Sequence, residues 1–369
     1  MAHLQARAIV AAMTRFIRLL WQSFTHSLLL LLPLLCIGAD SAQAGQDQQQ
    51  SPAVIEECKR IGNKLGSVST RLCLNSQLQD SGARSVNGQA ILMKEYPPLP
   101  GREPVARVLM IGGTHGDEYS SVSIVFKWIH TLNKHHSGLF HWHVAPLVNP
   151  DGLLQRRSQR LNANGVDLNR NMPTPDWHEK TKQYWQKTGH DPRRYPGTSA
   201  LSEPEAQWLY EEIRTFKPHV IISVHAPFGV LDFDGPPVGP SKLGQLHLKL
   251  IGTYPGSLGN SAGIQHHIPV ITVELPYAGI MPSQAQISRM WNDLIRWVRN
   301  NIPKHETLEA LTYFDDISNS LLSQSSPTNP VKSKSSQIQP VSKKPATLKQ
   351  AKPVESQHSD VHVEEQIDG

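Results

Sequence analysis

No stretch of this 369-residue chain stays apolar long enough to cross a bilayer. The longest run, Leu28 to Ile37, is about half of the roughly 20 residues a span needs, and Pro33 interrupts it. Arg7, Arg15 and Arg18 precede that run, and Ala42-Gln43-Ala44 follows with small residues where a signal peptidase reads. Residues 1–44 therefore read as a secretory signal peptide cut after Ala44, with no stable membrane span afterwards and a periplasmic or secreted destination. Cys36 raises a lipoprotein alternative, but Leu35 before it is bulkier than such processing sites accept.

Cysteine is scarce as well. Only three are present, and removal of the signal leaves Cys58 and Cys73, within an N-terminal segment of residues 45–85. In an oxidising compartment an even pair fits one disulfide; two unlinked thiols are the alternative, because spacing does not show the Cα separation. Aromatic residues stop at Phe314, and Ser, Gln, Pro and Lys dominate beyond it. Such a composition does not bury enough apolar surface to offset its ordering entropy, so residues 315–369 read as a disordered tail. Charge, finally, is not concentrated. The net +5 and pI of about 9.0 come from scattered Lys and Arg with no interleaved aromatics, which argues against nucleic acid as a partner. Anionic envelope polymers, or plain solubility, account for it equally well.

What is present between these margins is one globular domain, residues 86–303. Val105–Ile111, His143–Val148, Val220–Val224 and Val270–Val273 are short, β-branched and bounded by Gly, Pro or Asn, and read as buried strands. Helices are expected over 119–135, 203–216 and 284–301, with Ser202 as N-cap of the second. The alternation implies an α/β fold: a mixed, mostly parallel twisted sheet flanked by helices, with ligands at the strands' carboxyl ends.

The chemically suggestive residues fall at those ends. His115-Gly116-Asp117-Glu118 places an imidazole and a carboxylate three positions apart after the first strand. Alone the pair is weak, since 18 His and 31 acids predict roughly one or two such pairs by chance, and His362 with Glu365 is another. His225 ends the third strand, where a structural histidine is the commoner reading, and Glu274 ends the fourth, where an unpartnered carboxylate is costly. Two imidazoles and one carboxylate around zinc would leave an open position for water, and a second glutamate could take that water's proton. Arg160 and Arg170, in the Arg160 to Asn171 stretch, could stabilise an oxyanion and clamp a carboxylate, or could be surface arginines in a turn-rich loop.

In order and wording, His115-x-x-Glu118, Asn149-Pro150-Asp151-Gly152, Arg160 to Asn171, His225 and Thr272-Val273-Glu274-Leu275 resemble the M14 zinc carboxypeptidases over roughly residues 86 to 300. The resemblance implies one zinc per chain held by His115, Glu118 and His225, with Glu274 as general base. It further implies Arg160 as the group polarising the scissile carbonyl, and Asn169 with Arg170 as the clamp on a terminal carboxylate. Ser85-Val86-Asn87-Gly88-Gln89, Tyr195-Pro196-Gly197, Ser202-Glu203-Pro204-Glu205 and Tyr254-Pro255-Gly256 are similar to the murein peptide amidases of that family. This implies hydrolysis of the γ-D-glutamyl-meso-diaminopimelate bond of murein stem peptides. Those amidases are cytoplasmic, whereas an export signal resembles the periplasmic cell-shape carboxypeptidases that cut the same bond. Asp232 and Asp234 are candidates for holding the distal ammonium group, with turn aspartates as the alternative. Where digestive members carry a mobile tyrosine, the nearest counterpart is Tyr254. His266 and His267 read as solvent-facing. A carboxypeptidase for ordinary peptides, and a non-catalytic wall-binding module, are the competing functions.

Overall fold

The computed structural model describes residues 50–302. The signal sequence, the His362 and Glu365 pair and the 315–369 tail lie outside the described residues. Helix α1 spans Pro52–Lys64 and α2 spans Thr70–Asn75; the Ser51 and Ser69 hydroxyls cap them by accepting from the Val54 and Leu72 N–H groups. Cys58 and Cys73 are disulfide-bonded, which decides between the two alternatives above. Val54, Cys58, Ile61 and Cys73 are buried in the main core, so this N-terminal segment packs as part of the same body.

The remaining elements are β1 Gln79–Arg84, β2 Ala90–Tyr96, β3 Ala106–Ile111, α3 Tyr119–His135, β4 Phe140–Ala145, α4 Pro150–Leu154, α5 Trp177–Lys187 and α6 Pro204–Phe216, then β5 Val220–His225, β6 Leu231–Asp234, the short pair β7 Lys242–Leu243 and β8 Leu246–His247, β9 Val270–Glu274 and α7 Gln284–Asn301. Seven strands form one sheet in the order β1-β2-β4-β3-β5-β9-β6. The β4/β3, β3/β5 and β5/β9 pairs are parallel, and the outer β1/β2, β2/β4 and β9/β6 pairs are antiparallel. Only β2 and β6 run against the other five, which is the mixed, mostly parallel sheet expected.

Strand periodicity divides the core between the sheet's two faces. Val108, Met110, Ile222, Val224, Ile271 and Val273 meet Val125, Phe126 and Ile129 of α3 and Met290 and Leu294 of α7. Residues of the other parity, Leu109, Ile111, Ile221 and Val270, meet Leu209, Ile213 and Phe216 of α6. Burying these side chains supplies about 25 cal/mol per Å² of apolar surface, the main force holding the layers together.

Three local expectations needed correction. β4 starts and ends three residues earlier than expected, because Pro146 has no N–H to give the ladder; Leu147 and Val148 are buried in the loop beyond, where the Val148 N–H bonds Gly112 O at 3.0 Å. Ser202 is not the cap of α6. Its hydroxyl donates to Glu203 Oε1 and accepts from Asn171 Nδ2, and Glu203 occupies the cap position without a side-chain bond. His266 is buried rather than solvent-facing, at 4% exposure, while its neighbour His267 is exposed.

His219, just before β5, sets an acid limit on stability. Its Nδ1 accepts from the Arg107 N–H at 3.0 Å, and burial together with the Arg107 cation pushes its pKa down to about 4. The unfolded chain takes up the proton near pH 6.5, so the fold loses stability as pH falls from there towards 4, by up to about 3 kcal/mol. Denaturant unfolding at pH 7 and pH 4.5 should show this fall, and His219→Gln should lessen the difference between the two pH values.

Candidate active site

Alternation along three adjacent strands builds the site's floor. Ser223 and His225 on β5, Thr272 and Glu274 on β9, and Asp232 and Asp234 on β6 all have the parity that faces away from α3 and α7. His225 and Glu274 are register partners at the carboxyl ends of β5 and β9. The turn reading of Asp232 and Asp234 is thereby replaced: both lie on a strand, Asp232 opposite Thr272 and Asp234 opposite Val270.

The loop after β3 brings the opposing wall. Glu118 is the residue before α3, where the helix dipole favours its negative charge, and its Oε2 accepts from the Ala226 N–H at 3.2 Å. Gly116 has no side chain for a spatial reason: a Cβ there would meet Gly152 C at 2.1 Å and Leu153 N at 2.4 Å. The loop is thus seated on the Asn149-Pro150-Asp151-Gly152 turn. Asn149, fully buried, donates to Thr114 O at 3.3 Å and Arg160 O at 3.1 Å, tying the His115 loop to the Arg160 loop.

These loops set three donors against one another. His115 Nδ1 lies 2.8 Å from Glu118 Oε1, and His225 Nδ1 lies 3.1 Å from both His115 Nδ1 and Glu118 Oε2. His115 Nε2 faces Asp167 Oδ1 at 3.0 Å, which assigns the ring proton to Nε2 and leaves a lone pair at Nδ1. His225 Nε2 faces the Ser223 hydroxyl at 3.0 Å, and its Nδ1 likewise points inward. Lone pairs and a carboxylate at these distances repel unless a cation sits among them. Tetrahedral zinc ligands stand about 3.3 Å apart, so the three groups fit a divalent metal of that kind.

Asp167 is the functional residue that sequence reasoning missed. Fully buried, it accepts from Arg160 Nε and Nη2 through Oδ2, at 3.2 and 3.0 Å, while Oδ1 serves His115. One carboxylate therefore orients a metal-type ligand and a catalytic-type cation together. Burial opposes its ionisation, but Arg160 and His115 hold it well below the usual carboxylate range. Asp167→Asn is expected to weaken metal retention about 10–100-fold, the usual cost of losing a carboxylate behind a ligating histidine. Competition with a chelator of known affinity would measure it; unchanged retention would remove Asp167 from this role.

A cavity opens over these groups, lined by His115, Glu118, Arg160, Asn169, Arg170, His225, Asp232, Asp234, Tyr254 and Glu274. It continues outward into a cleft of about 480 Å³ rimmed by Asp117, Asp191, Arg193, Arg194 and Phe228. Every site residue expected from sequence is on this surface. Arg170 sits between aromatic faces, its guanidinium carbon 4.5 Å from the Tyr254 ring and 5.4 Å from that of Tyr184. Its Nη1 donates to Asn169 O, and its buried Nε has no partner. Glu274 Oε2 is also buried and unpartnered, and burial raises the pKa of Glu274, with the His115 and His225 imidazoles offsetting part of the effect and Glu118 adding to it. Burial, then the neighbouring Asp232, pushes Asp234 up to about 7.

Three phrases that are far apart in sequence meet behind the site. Asp151 accepts from Ser85 Oγ at 2.7 Å, the Asn87 N–H at 2.9 Å and Gln89 Nε2 at 2.7 Å. Asn162 donates to Glu203 and Glu205 at 2.7 and 3.1 Å, and Glu205 accepts from the Val86 N–H. A buried network with its partners in place holds one geometry, here that of the segment carrying Arg160, Asp167 and Arg170.

An α/β sheet with two imidazoles, a carboxylate and a buried glutamate with one unpartnered oxygen at its strand ends defines a metallohydrolase scaffold. The zinc carboxypeptidase family model matches residues 78–231. Murein peptide amidase A of Escherichia coli is 33% identical over 202 residues, covering 51% of this chain and 79% of that protein. The Vibrio campbellii protein of the same name is 32% identical over 184 residues, covering 47% and 71%. Among solved structures, the murein-tripeptide amidase of Escherichia coli O157 aligns at 27% identity with a TM-score of 0.43, over 58% of this chain and 90% of that one. The chain belongs to the M14 zinc carboxypeptidase family, and it is a hydrolase of the metallopeptidase class.

Proposed function

We propose that this protein is an exported zinc hydrolase that cuts the γ-D-glutamyl-meso-diaminopimelate bond of murein stem peptides, in the periplasm or outside the cell. The observation carrying the chemistry is the convergence of His115, Glu118 and His225 beside Glu274, whose buried Oε2 has no partner. Zinc held by those three residues would supply Lewis acidity, acidifying water and polarising the scissile carbonyl. Glu274 takes a proton from the attacking water and delivers it to the departing amine; its raised pKa suits both directions of transfer. Arg160, aimed into the cavity by Asp167, stabilises the negative charge that develops on the carbonyl oxygen. Arg170, with its free Nε–H, and Asn169 hold the carboxylate of the leaving diaminopimelate.

Specificity for diaminopimelate is supported by the acid pair lining the cavity. Asp232 and Asp234 repel one another, and burial raises both pKa values, so a substrate ammonium group placed between them would be bound by relief of that repulsion. The relatives named as murein peptide amidases favour the same substrate class. A direct comparison of a murein stem tripeptide with an all-L peptide of equal length tests the assignment. We expect kcat/KM to favour the murein peptide by about 100-fold or more, on the scale of a missing charged contact; equal turnover of the two would sink the murein assignment.

A further inference from the structure

A second group of metal-type donors stands at the opposite end of the sheet. His141 and His143 are two residues apart on β4, so both rings occupy one face, and antiparallel β2 sets Glu95 directly opposite His143. His141 is level with Arg107 near the start of β3, and the strand runs four residues further to Ile111 before the loop that carries His115. At about 3.3 Å per residue this sets His141 about 13 Å, and His143, level with Leu109, about 7 Å, from the end of β3 along the sheet, before the loop to His115 begins.

The geometry is that of a ligand set. His141 Nε2 lies 2.7 Å from Glu95 Oε1, and His143 Nε2 lies 3.9 Å from the same oxygen. His143 Nδ1 bonds the carboxylate of Glu212 on α6. A carboxylate only accepts, so it fixes the proton on Nδ1 and turns the Nε2 lone pair towards Glu95, the arrangement by which a carboxylate positions a ligating histidine. Phe216 locks both rings, stacked on His143 at 3.6 Å between centroids and edge-on to His141 at 5.0 Å. The Glu95 side chain is 49% exposed, so an ion could enter from solvent and keep water in its remaining positions. Without an ion, His141 Nε2 can donate to Glu95, but the His143 Nε2 lone pair faces the same carboxylate at 3.9 Å, a pairing that gains nothing.

We propose that Glu95, His141 and His143 form a second divalent-cation site, with Glu212 as the positioning carboxylate behind His143. Two imidazoles with one carboxylate select zinc, nickel or copper over magnesium or calcium, whose sites are built from oxygen alone. An ion there joins β2 to β4 and, through Glu212, to α6. It adds no group to the cavity.

The test uses the full chain, stripped with a chelator and titrated with zinc alone, by calorimetry and by metal analysis after gel filtration. Two equivalents should bind, and the weaker one should shift the ring signals of His141 and His143 in NMR spectra. Glu95→Gln keeps the shape of an exposed side chain, and His141→Ala removes a ring whose contact with α6 is its edge-on packing on Phe216, with no hydrogen bond to that helix. Each should weaken the second equivalent about tenfold or more while leaving the first equivalent, and hydrolysis measured with one zinc per chain, unchanged. Saturation at one equivalent would overturn the proposal, and so would a second equivalent whose affinity both substitutions leave intact. Neither outcome depends on which peptide the cavity accepts.

Discussion

Glu274→Gln is expected to lower kcat/KM by about 10²–10⁴, the span of a positioned general base, while metal content stays at the native level. The substitution keeps the side chain's volume and removes only its ability to accept and return a proton. Glu274 is not among the three converging donors, so the ion's grip should survive. Its Oε2 has no partner in the fold, and the carboxylate's bond to the Phe228 backbone N–H can be kept by the oxygen of the amide. Steady-state kinetics together with metal analysis of the same sample would check both halves. Turnover at the native rate would refute the base role, and coincident loss of metal would recast Glu274 as a ligand.

Arg160→Gln should cost about 10²–10³ in kcat, comparable to deleting one donor from an oxyanion-binding site, with a much smaller change in KM. Arg160 Nε and Nη2 are engaged by Asp167, while Nη1 lies 3.6 Å from Glu118 and the side chain borders the cavity. Lysine should not rescue it, because a single ammonium does not reproduce the two bonds to Asp167. Arg170→Gln should act in the other sense, raising KM more than it lowers kcat, because a carboxylate clamp binds substrate before the transition state as well as in it. Kinetics of the two variants on one substrate would separate the roles. Equal effects on KM would mean that both arginines serve only binding.

The sequence made the site's floor legible because strand periodicity is simple. A short apolar strand ending in a polar residue points that residue at the sheet's carboxyl edge, and His225 and Glu274 both obey. The same rule fits Leu231-Asp232-Phe233-Asp234 as β6, but the segment is short and runs into Gly235 and Pro236, so a turn fits its sequence equally well. β1 was illegible for a different reason: Gln-Asp-Ser-Gly-Ala-Arg at a sheet edge has little to bury and shows no apolar alternation. Asp167 lay in plain view inside the Arg160 to Asn171 stretch. Its role depends on contacts to His115, 52 positions away, and Arg160, seven away, which no local pattern reports. The buried network of Asp151, Asn162 and Glu205 was likewise visible only as separate phrases. What brought them together was tertiary packing, in which each buried polar group needs a partner from elsewhere in the chain.

The most direct measurement follows diaminopimelate itself. The full chain, stripped of metal, would be given a defined murein stem tripeptide, and free diaminopimelate would be quantified by mass spectrometry as zinc is restored. We expect no release from the stripped protein and full release once one equivalent is bound at His115, Glu118 and His225. Release that ignores the chelator, or a zinc-restored protein that leaves the tripeptide intact while cleaving ordinary peptides, would contradict a zinc-dependent murein hydrolase.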